Sequence, residues 1–121
     1  MAGTIPSEHV EQATFVREFE RRWPEVRLFA IPNGGFRHKA TAEKLRLEGL
    51  KPGVPDICIP AWRLFIEMKR TKEGRVSSDQ AKWIDYLREC GYSVEVAKGW
   101  EEAIRICDDI AKRYNGNVDN E

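Results

Sequence analysis

Histidine, cysteine and long apolar stretches are all scarce in this chain of 121 residues. Its two histidines and three widely spaced cysteines fall at no ligand spacing, which argues against a zinc site and a disulfide framework and suits a reducing cytoplasm. The longest apolar run, about Val54 to Trp62, is interrupted by Asp56, so nothing approaches the ~20 residues that cross a bilayer. The N-terminus lacks the basic and apolar regions of a secretory signal. We therefore expect a cytoplasmic protein.

A net charge of either sign is also missing. Twenty basic residues balance 20 acidic residues, which excludes a cationic protein that coats nucleic acid with its whole surface. The charge is uneven along the chain, because Asn33 to Pro52 and Lys69 to Arg75 each carry a net charge of +3. Two basic segments in a neutral chain indicate a localised anion site, although the first of them also suits a solvated helix face.

Helix and strand patterns alternate along the chain. Ser7 is a plausible N-cap, and the hydrophobic periodicity predicts a small α/β fold with a mixed sheet flanked by helices in the order αβαββαβα. The first 114 residues form one domain, and residues 115–121 are expected to be a disordered polar tail. The predicted elements are a helix from Glu8 to Arg22, a strand from Arg27 to Ile31, a helix from Ala40 to Glu48, strands from Asp56 to Ile59 and from Leu64 to Lys69, a helix from Ser77 to Gly91, a strand from Tyr92 to Ala97, and a helix from Trp100 to Tyr114.

The segment Leu64 to Lys69 combines a strand pattern with two charges. Because side chains alternate across a strand, Glu67 and Lys69 share the face opposite to that of Ile66 and Met68. An edge strand with a polar face toward water is the simplest interpretation of such a pair. The alternative is a charged site on a central strand.

Asp56 opens the strand that precedes this segment, and the link between the two strands is short. The two strands are therefore expected to pair as a hairpin, which brings Asp56 close to Glu67 and Lys69. Two carboxylates and an ammonium at one end of a sheet suit a hard divalent cation such as Mg²⁺, which accepts carboxylate, water and phosphate oxygens. Such a metal lowers the pKa of a bound water and neutralises charge on a phosphate, so the set predicts phosphodiester hydrolysis.

These residues resemble a known family. Pro55-Asp56 followed by Glu67-Met68-Lys69 is similar to the signature of the PD-(D/E)xK nucleases. The finer pattern resembles the virus-type replication-repair nuclease (VRR-NUC) domain in its small stand-alone form. The resemblance covers about residues 8–106 and implies a restriction-endonuclease-like core. The matching pieces are Ile31 to Gly35, Gly53 to Asp56, Phe65 to Lys69, Ser77 to Gln80, and Gly91-Tyr92.

The resemblance also implies roles for individual residues. Asp56, Glu67 and the main-chain carbonyl of Met68 would bind Mg²⁺ or Mn²⁺, and Lys69 would be the catalytic lysine. Such nucleases usually add a glutamate from the first helix. A helical wheel places Glu8 on the inward stripe and Glu11 at its edge, so Glu8 is the first choice and Glu11 the second. The alternative for Glu8 is stabilisation of the helix dipole.

Gln80 has two interpretations, which are compatible. It completes a capping box with Ser77, and the resemblance places a glutamine near the active site at this position. The basic segments are expected to follow the phosphates of DNA. The candidate DNA-binding residues are Arg37, His38, Lys39, Lys44, Arg70, Lys72 and Arg75. Phe36 beside them is either a stacking side chain or a core residue.

The expected function is therefore a metal-dependent DNA endonuclease of a bacterial or phage-infected cell, active in DNA repair. By resemblance it would act on branched DNA such as Holliday junctions and form a homodimer. Trp62, Trp100 or the helix with Leu45 and Leu47 would supply the apolar dimer surface. The alternatives are a non-catalytic DNA-binding module, a flap or fork nuclease, and a restriction-type enzyme.

Overall fold

One mixed sheet of four strands lies between two layers of helices. The structure is a computed structural model that describes residues 4–32 and 38–119, the last five of them as backbone. The observed elements are α1 (Glu8–Arg22), β1 (Phe29–Ala30), α2 (Lys39–Leu47), β2 (Ile57–Ile59), a 3₁₀ turn (Pro60–Trp62), β3 (Leu64–Lys69), α3 (Ser78–Glu89), β4 (Ser93–Lys98) and α4 (Trp100–Asp119). The predicted α/β class and the order of the helices and strands are confirmed.

The sheet has the strand order β1-β2-β3-β4. The strands β2 and β3 form the predicted antiparallel hairpin, with Ile57 opposite Ile66 and Ile59 opposite Leu64. On its other side β3 pairs in parallel with β4, and α3 makes the crossover between them. Because β3 has a neighbour on both sides, the interpretation of Glu67 and Lys69 as part of an edge strand is wrong.

Alternation along β3 separates two hydrophobic clusters. Leu64, Ile66 and Met68 are completely buried against α1 and α4. Phe65 points to the opposite face and packs against Ile84 and other residues of α3. Burial of one face against two helices and of the other against one helix gives the three-layer arrangement. The second face also carries Glu67 and Lys69, because they follow Phe65 by two and four residues along the strand.

The helices α1 and α4 run side by side in the same direction. The main-chain N–H of Trp100, the first residue of α4, donates to Glu11 of α1 at 3.0 Å. At the far ends, Trp23 stacks edge-on against Trp62, and the Tyr114 hydroxyl donates to the Trp62 carbonyl at 3.1 Å. Trp62 is only 5% exposed, so the expectation that it supplies an apolar dimer surface is wrong.

Several predicted element ends differ from the observed ones, and the differences are clearest in β1 and α4. β1 has two residues rather than five, because it is paired only with the short strand β2. The helix α4 continues to Asp119 instead of ending at Tyr114, since sequence sets helix ends weakly.

The turn predicted at Asn33-Gly34-Gly35 lies outside the described residues. Within residues 4–32 and 38–119, no helix is both long and apolar enough to span a membrane.

Gly53 brings the segment before β2 against the start of α3. Its φ is +91°, and a Cβ at this position would lie 2.6 Å from the carbonyl carbon of Asp79. Any side chain would therefore combine left-handed backbone strain with a collision against main-chain atoms. The close approach holds Asp56, three residues later, at a fixed distance from α3.

Gly49 provides a matched control for this contact, because its φ is +106° and a Cβ there would meet nothing within 4 Å. We expect Gly49→Ala to lower the free energy of unfolding by about 1–2 kcal/mol through backbone strain alone. Gly53→Ala should cost about 1–3 kcal/mol more, because the added methyl group overpacks the start of α3. Urea unfolding of both variants measures the difference, and equal losses would contradict the role given to Gly53.

Candidate active site

Asp56, Glu67 and Lys69 meet on the α3 face of the sheet, close to the carboxyl end of β3. Continuing the β2–β3 register by one residue places Asp56 opposite Glu67. All three side chains are buried, with exposures of 6% for Asp56, 1% for Glu67 and 5% for Lys69. Three charges so removed from water are costly to the fold unless they interact with one another or with a ligand.

Asp56 is oriented by the main chain of the neighbouring strand. Its Oδ2 accepts a hydrogen bond of 2.7 Å from the N–H of Met68. The strand β2 begins at the next residue, Ile57, so this side chain occupies the position where ladder bonds between the strands end. The bond fixes the Asp56 carboxylate beside Glu67.

Glu67 is held from two directions. Its Oε2 accepts from Gln80 Nε2 at 3.1 Å and lies 3.8 Å from Lys69 Nζ. Its Oε1 is buried and accepts no hydrogen bond from a donor among the described residues. A buried carboxylate oxygen without a donor is an acceptor site for an additional ligand or for a proton.

Gln80 joins the active-site cluster to the N-terminus of α3. Its Oε1 accepts from the Ser77 N–H at 2.9 Å, while Ser77 Oγ accepts from the Gln80 N–H at 3.1 Å. This is the predicted capping box, and it leaves Nε2 to bind Glu67. The capping role and the position next to the site therefore coexist in one side chain.

Burial raises the pKa of Glu67 to about 9. The negative charge of Asp56 adds to the increase, as does a hydrogen bond that a protonated Glu67 makes with Asp56. Lys69 acts in the opposite direction, and Glu8 makes a further, smaller contribution to the increase. In the metal-free protein Glu67 therefore holds a proton at neutral pH.

The two glutamates of α1 differ from the helical-wheel expectation. Glu11, placed at the edge of the stripe, is 3% exposed, whereas Glu8 is exposed. Glu11 is bonded to Trp100, the first residue of α4. Glu8 precedes Glu11 by about one helical turn, so it lies beyond the start of α4 and is not covered by that helix. Glu8 nevertheless stands at the end of the sheet that carries Glu67, and its charge acts on the pKa of that residue.

The structural role of Glu11 is not evident from the helical periodicity of α1. The helix α4 follows Gly99, which has no side chain to cap it, and Glu11 Oε1 supplies the acceptor for the Trp100 N–H from another helix. A Cβ on Gly99 would lie 3.6 Å from both carboxylate oxygens of Glu11. The sequence does contain a signal for this contact. The residue before α4 is not Ser, Thr, Asp or Asn, so the first N–H groups of this helix need an acceptor from another part of the chain.

The candidate DNA-binding residues lie in two places. Lys39 and Lys44 are exposed on α2, and His38 precedes that helix without making a side-chain cap bond. Lys72 and Arg75 are exposed in the loop after β3. Arg70 is half-buried, and its Nε is buried without a hydrogen-bond partner in the part of the chain that the structure describes. Gly74 folds this loop back, because a Cβ there would lie 2.9 Å from Lys69 Cβ. Arg37 lies outside the described residues.

The donor set is small for a metal site. Among residues 4–32 and 38–119, no three His, Cys, Asp or Glu side chains come together as a ready-made site. Two carboxylates face each other instead, and one of them has a buried oxygen without a donor. This set fits Mg²⁺ or Mn²⁺, since Mg²⁺ usually takes one or two carboxylates and keeps water or phosphate in its other positions.

The sheet and this charged hairpin define a nuclease-type α/β fold, and comparisons with known proteins agree. The VRR-NUC domain profile matches residues 31–101. A solved structure described as "VRR_NUC domain protein" is similar with a TM-score of 0.76 and 24% sequence identity, covering 90% of this chain and 91% of that chain, which shows the fold. The search of curated proteins found no match. The chain belongs to the VRR-NUC domain family.

The pKa of Glu67 predicts how stability depends on pH. The unfolded chain releases this proton near pH 4.5, while the folded, metal-free protein keeps it to about pH 9. Between these values the folded state binds more protons, so the free energy of unfolding should fall as pH rises, by at most about 1.4 kcal/mol per pH unit.

Denaturant unfolding of the metal-free protein from pH 5 to pH 9 measures this slope. Glu67→Gln, which is uncharged at every pH, should flatten it. Glu95→Gln is the control, because Glu95 is an exposed acid on the adjacent strand, opposite Ile66. If Glu67→Gln keeps the wild-type slope, Glu67 does not hold the extra proton.

Proposed function

We propose that this protein is a Mg²⁺- or Mn²⁺-dependent endonuclease that hydrolyses DNA phosphodiester bonds. The observation that carries the proposal is the buried pair of Asp56 and Glu67 with Lys69 Nζ 3.8 Å from Glu67 Oε2. Membership of the VRR-NUC family supports a nuclease. A binding module without catalysis would have no physical reason to keep these charges buried together.

The residues that would hold the metal are Asp56, Glu67 and the main-chain carbonyl of Met68. When bound, the metal supplies an acidified water and neutralises charge on the phosphate. Met68 N–H orients Asp56, and Gln80 Nε2 orients Glu67, so neither carboxylate has to reorganise. Glu67 would release its proton to accept the ion.

Lys69 supplies the remaining catalytic group. Its ammonium is buried beside Glu67 and is followed by the basic loop of Arg70, Lys72 and Arg75. From this position Nζ would bind the attacking water and a non-bridging phosphate oxygen through charge-assisted hydrogen bonds. Glu8, exposed at the same end of the sheet, would be the carboxylate from the first helix.

The substrate we propose is branched DNA, cut by a homodimer in the manner of a Holliday-junction resolvase. One chain of 14.0 kDa offers one Asp56–Glu67–Lys69 site, and symmetric incision of a four-way junction needs two sites related by a two-fold axis. Leu47, with 82% exposure on α2, is an apolar side chain available to a second copy.

Three variants test the proposed activity. Asp56→Asn, Glu67→Gln and Lys69→Ala should each lower Mn²⁺-dependent cleavage of a labelled four-way junction at least about 100-fold, because each removes a group that acts on the reacting atoms. Binding of the junction should persist. Asp56→Asn removes a negative charge next to the phosphate, so this variant should bind at least as well as wild type.

Lys98→Ala is the control for Lys69→Ala. Lys98 stands opposite Lys69 in the β3–β4 register but is exposed, so its loss should change cleavage less than about threefold. Linear duplexes, flaps, splayed arms and junctions compared at equal concentrations identify the preferred DNA structure. If wild type and variants bind the junction and all leave it uncut in Mg²⁺ and Mn²⁺, the protein is a non-catalytic module.

A further inference from the structure

The helix α3 carries an aromatic cleft that the proposed catalytic machinery does not use. The cleft has a volume of 280 Å³ and, among the described residues, is lined by Lys82, Trp83 and Tyr86. The two rings are perpendicular, with their centroids 5.7 Å apart. Tyr86 is 57% exposed, whereas Trp83 is half-buried against the cluster beneath α3. A tyrosine so exposed beside a tryptophan is typical of a surface that binds a partner.

The cleft lies on the flank of α3 that faces the loop before Asp56. At 100° per residue, Asp79, Lys82, Trp83 and Tyr86 fall within one sector of about 100° on the helix. Asp79 contacts Gly53, three residues before Asp56, so this sector is the one directed toward the loop that enters the active site. A ligand that crosses the site can therefore continue onto the cleft.

The distance from the site along α3 is short. Trp83 and Tyr86 follow Gln80, which binds Glu67, by three and six residues. A rise of 1.5 Å per residue places the two rings about 5 Å and about 9 Å from Gln80 along the helix axis. Stacked nucleotides are about 3.4 Å apart, so along the helix axis the rings lie about one to three nucleotide spacings from Gln80.

The chemistry of the cleft selects an unpaired base. Aromatic rings bind any base through its π-face, but within a duplex both faces of each base are covered by neighbouring base pairs. Among the described residues that line the cleft, Lys82 carries the charge, and it would bind the phosphate of the stacked nucleotide. No carboxylate is among the lining residues that the structure describes.

We propose that the cleft of Lys82, Trp83 and Tyr86 stacks an unpaired DNA base next to the phosphodiester that is cut. This inference rests on the proposed function and narrows its substrate to DNA with single-stranded nucleotides beside the site. The protein would then favour junctions, flaps or splayed arms with unpaired bases over a continuous duplex of the same sequence.

The test uses the full chain without divalent metal, so that binding is measured apart from cleavage. The probe is a single-stranded oligonucleotide with one fluorescent adenine analogue, whose emission is quenched by stacking. Tyr86→Ala should weaken binding of this probe about fivefold or more and relieve the quenching, because it removes a stacking ring. Binding of a fully paired duplex should change less than twofold.

Three further variants keep the test independent of folding. Tyr86→Phe retains the ring and should bind as wild type does, whereas Lys82→Ala should lower the salt dependence of binding. Phe29→Ala removes an equally exposed ring, 52% accessible, from β1 at the far edge of the sheet and should have no effect on binding. Circular dichroism spectra establish that each variant is folded.

The outcomes separate the two proposals. Unchanged single-strand affinity in folded Tyr86→Ala, or equal losses on single strand and duplex, overturns the stacking role even if the wild type cleaves junctions. A change from dimer to monomer with unaltered single-strand binding assigns the cleft to a second copy instead. The wild-type protein could also cut no DNA while Tyr86→Ala loses single-strand binding. That result supports base stacking and contradicts only the nuclease proposal.

Discussion

The burial of Glu67 directly across from Asp56 is the constraint on which the rest of the site depends. Two carboxylates in contact inside a protein cannot both remain ionised without compensation, so one holds a proton or both share a cation. Burial and the Asp56 charge raise the pKa of Glu67 to about 9, which is the first of these solutions. A divalent metal would provide the second.

Neighbouring elements keep these charges in place. Met68 N–H fixes Asp56, the capping glutamine of α3 fixes Glu67, and the close contact at Gly53 holds the loop before Asp56 against α3. Each of these contacts stabilises the fold and also orients a residue of the site. The geometry of the site is therefore determined by how the β2–β3 hairpin packs against the start of one helix.

The sequence predicted this hairpin because both of its signals are local. Alternation along Leu64 to Lys69 assigns faces, and the short link after Ile59 determines the pairing, so the meeting of Asp56 with Glu67 follows from strand geometry. The choice between Glu8 and Glu11 depended on where another helix begins. A helical wheel has no information about Trp100, which lies 89 residues away from Glu11 and buries it.

The aromatic cleft also could not be related to the site from local sequence patterns alone. Its residues occur in the sequence at helical spacing, yet their relation to the active site depends on the contact between Gly53 and Asp79. Together, the site and the proposed stacking cleft would offer DNA an acidic centre, a basic loop and two aromatic rings. The substrate that we propose, DNA with unpaired bases, would use all three features.

The proposed nuclease requires Asp56 and Glu67 to share one divalent cation. Crystals soaked in Mn²⁺ and measured at the manganese absorption edge test it most directly. We expect an anomalous peak bonded to one oxygen of each carboxylate, at about 2.0–2.3 Å, which is absent in Glu67→Ala. Ordered Asp56 and Glu67 side chains at saturating Mn²⁺, with no peak between them, would contradict it.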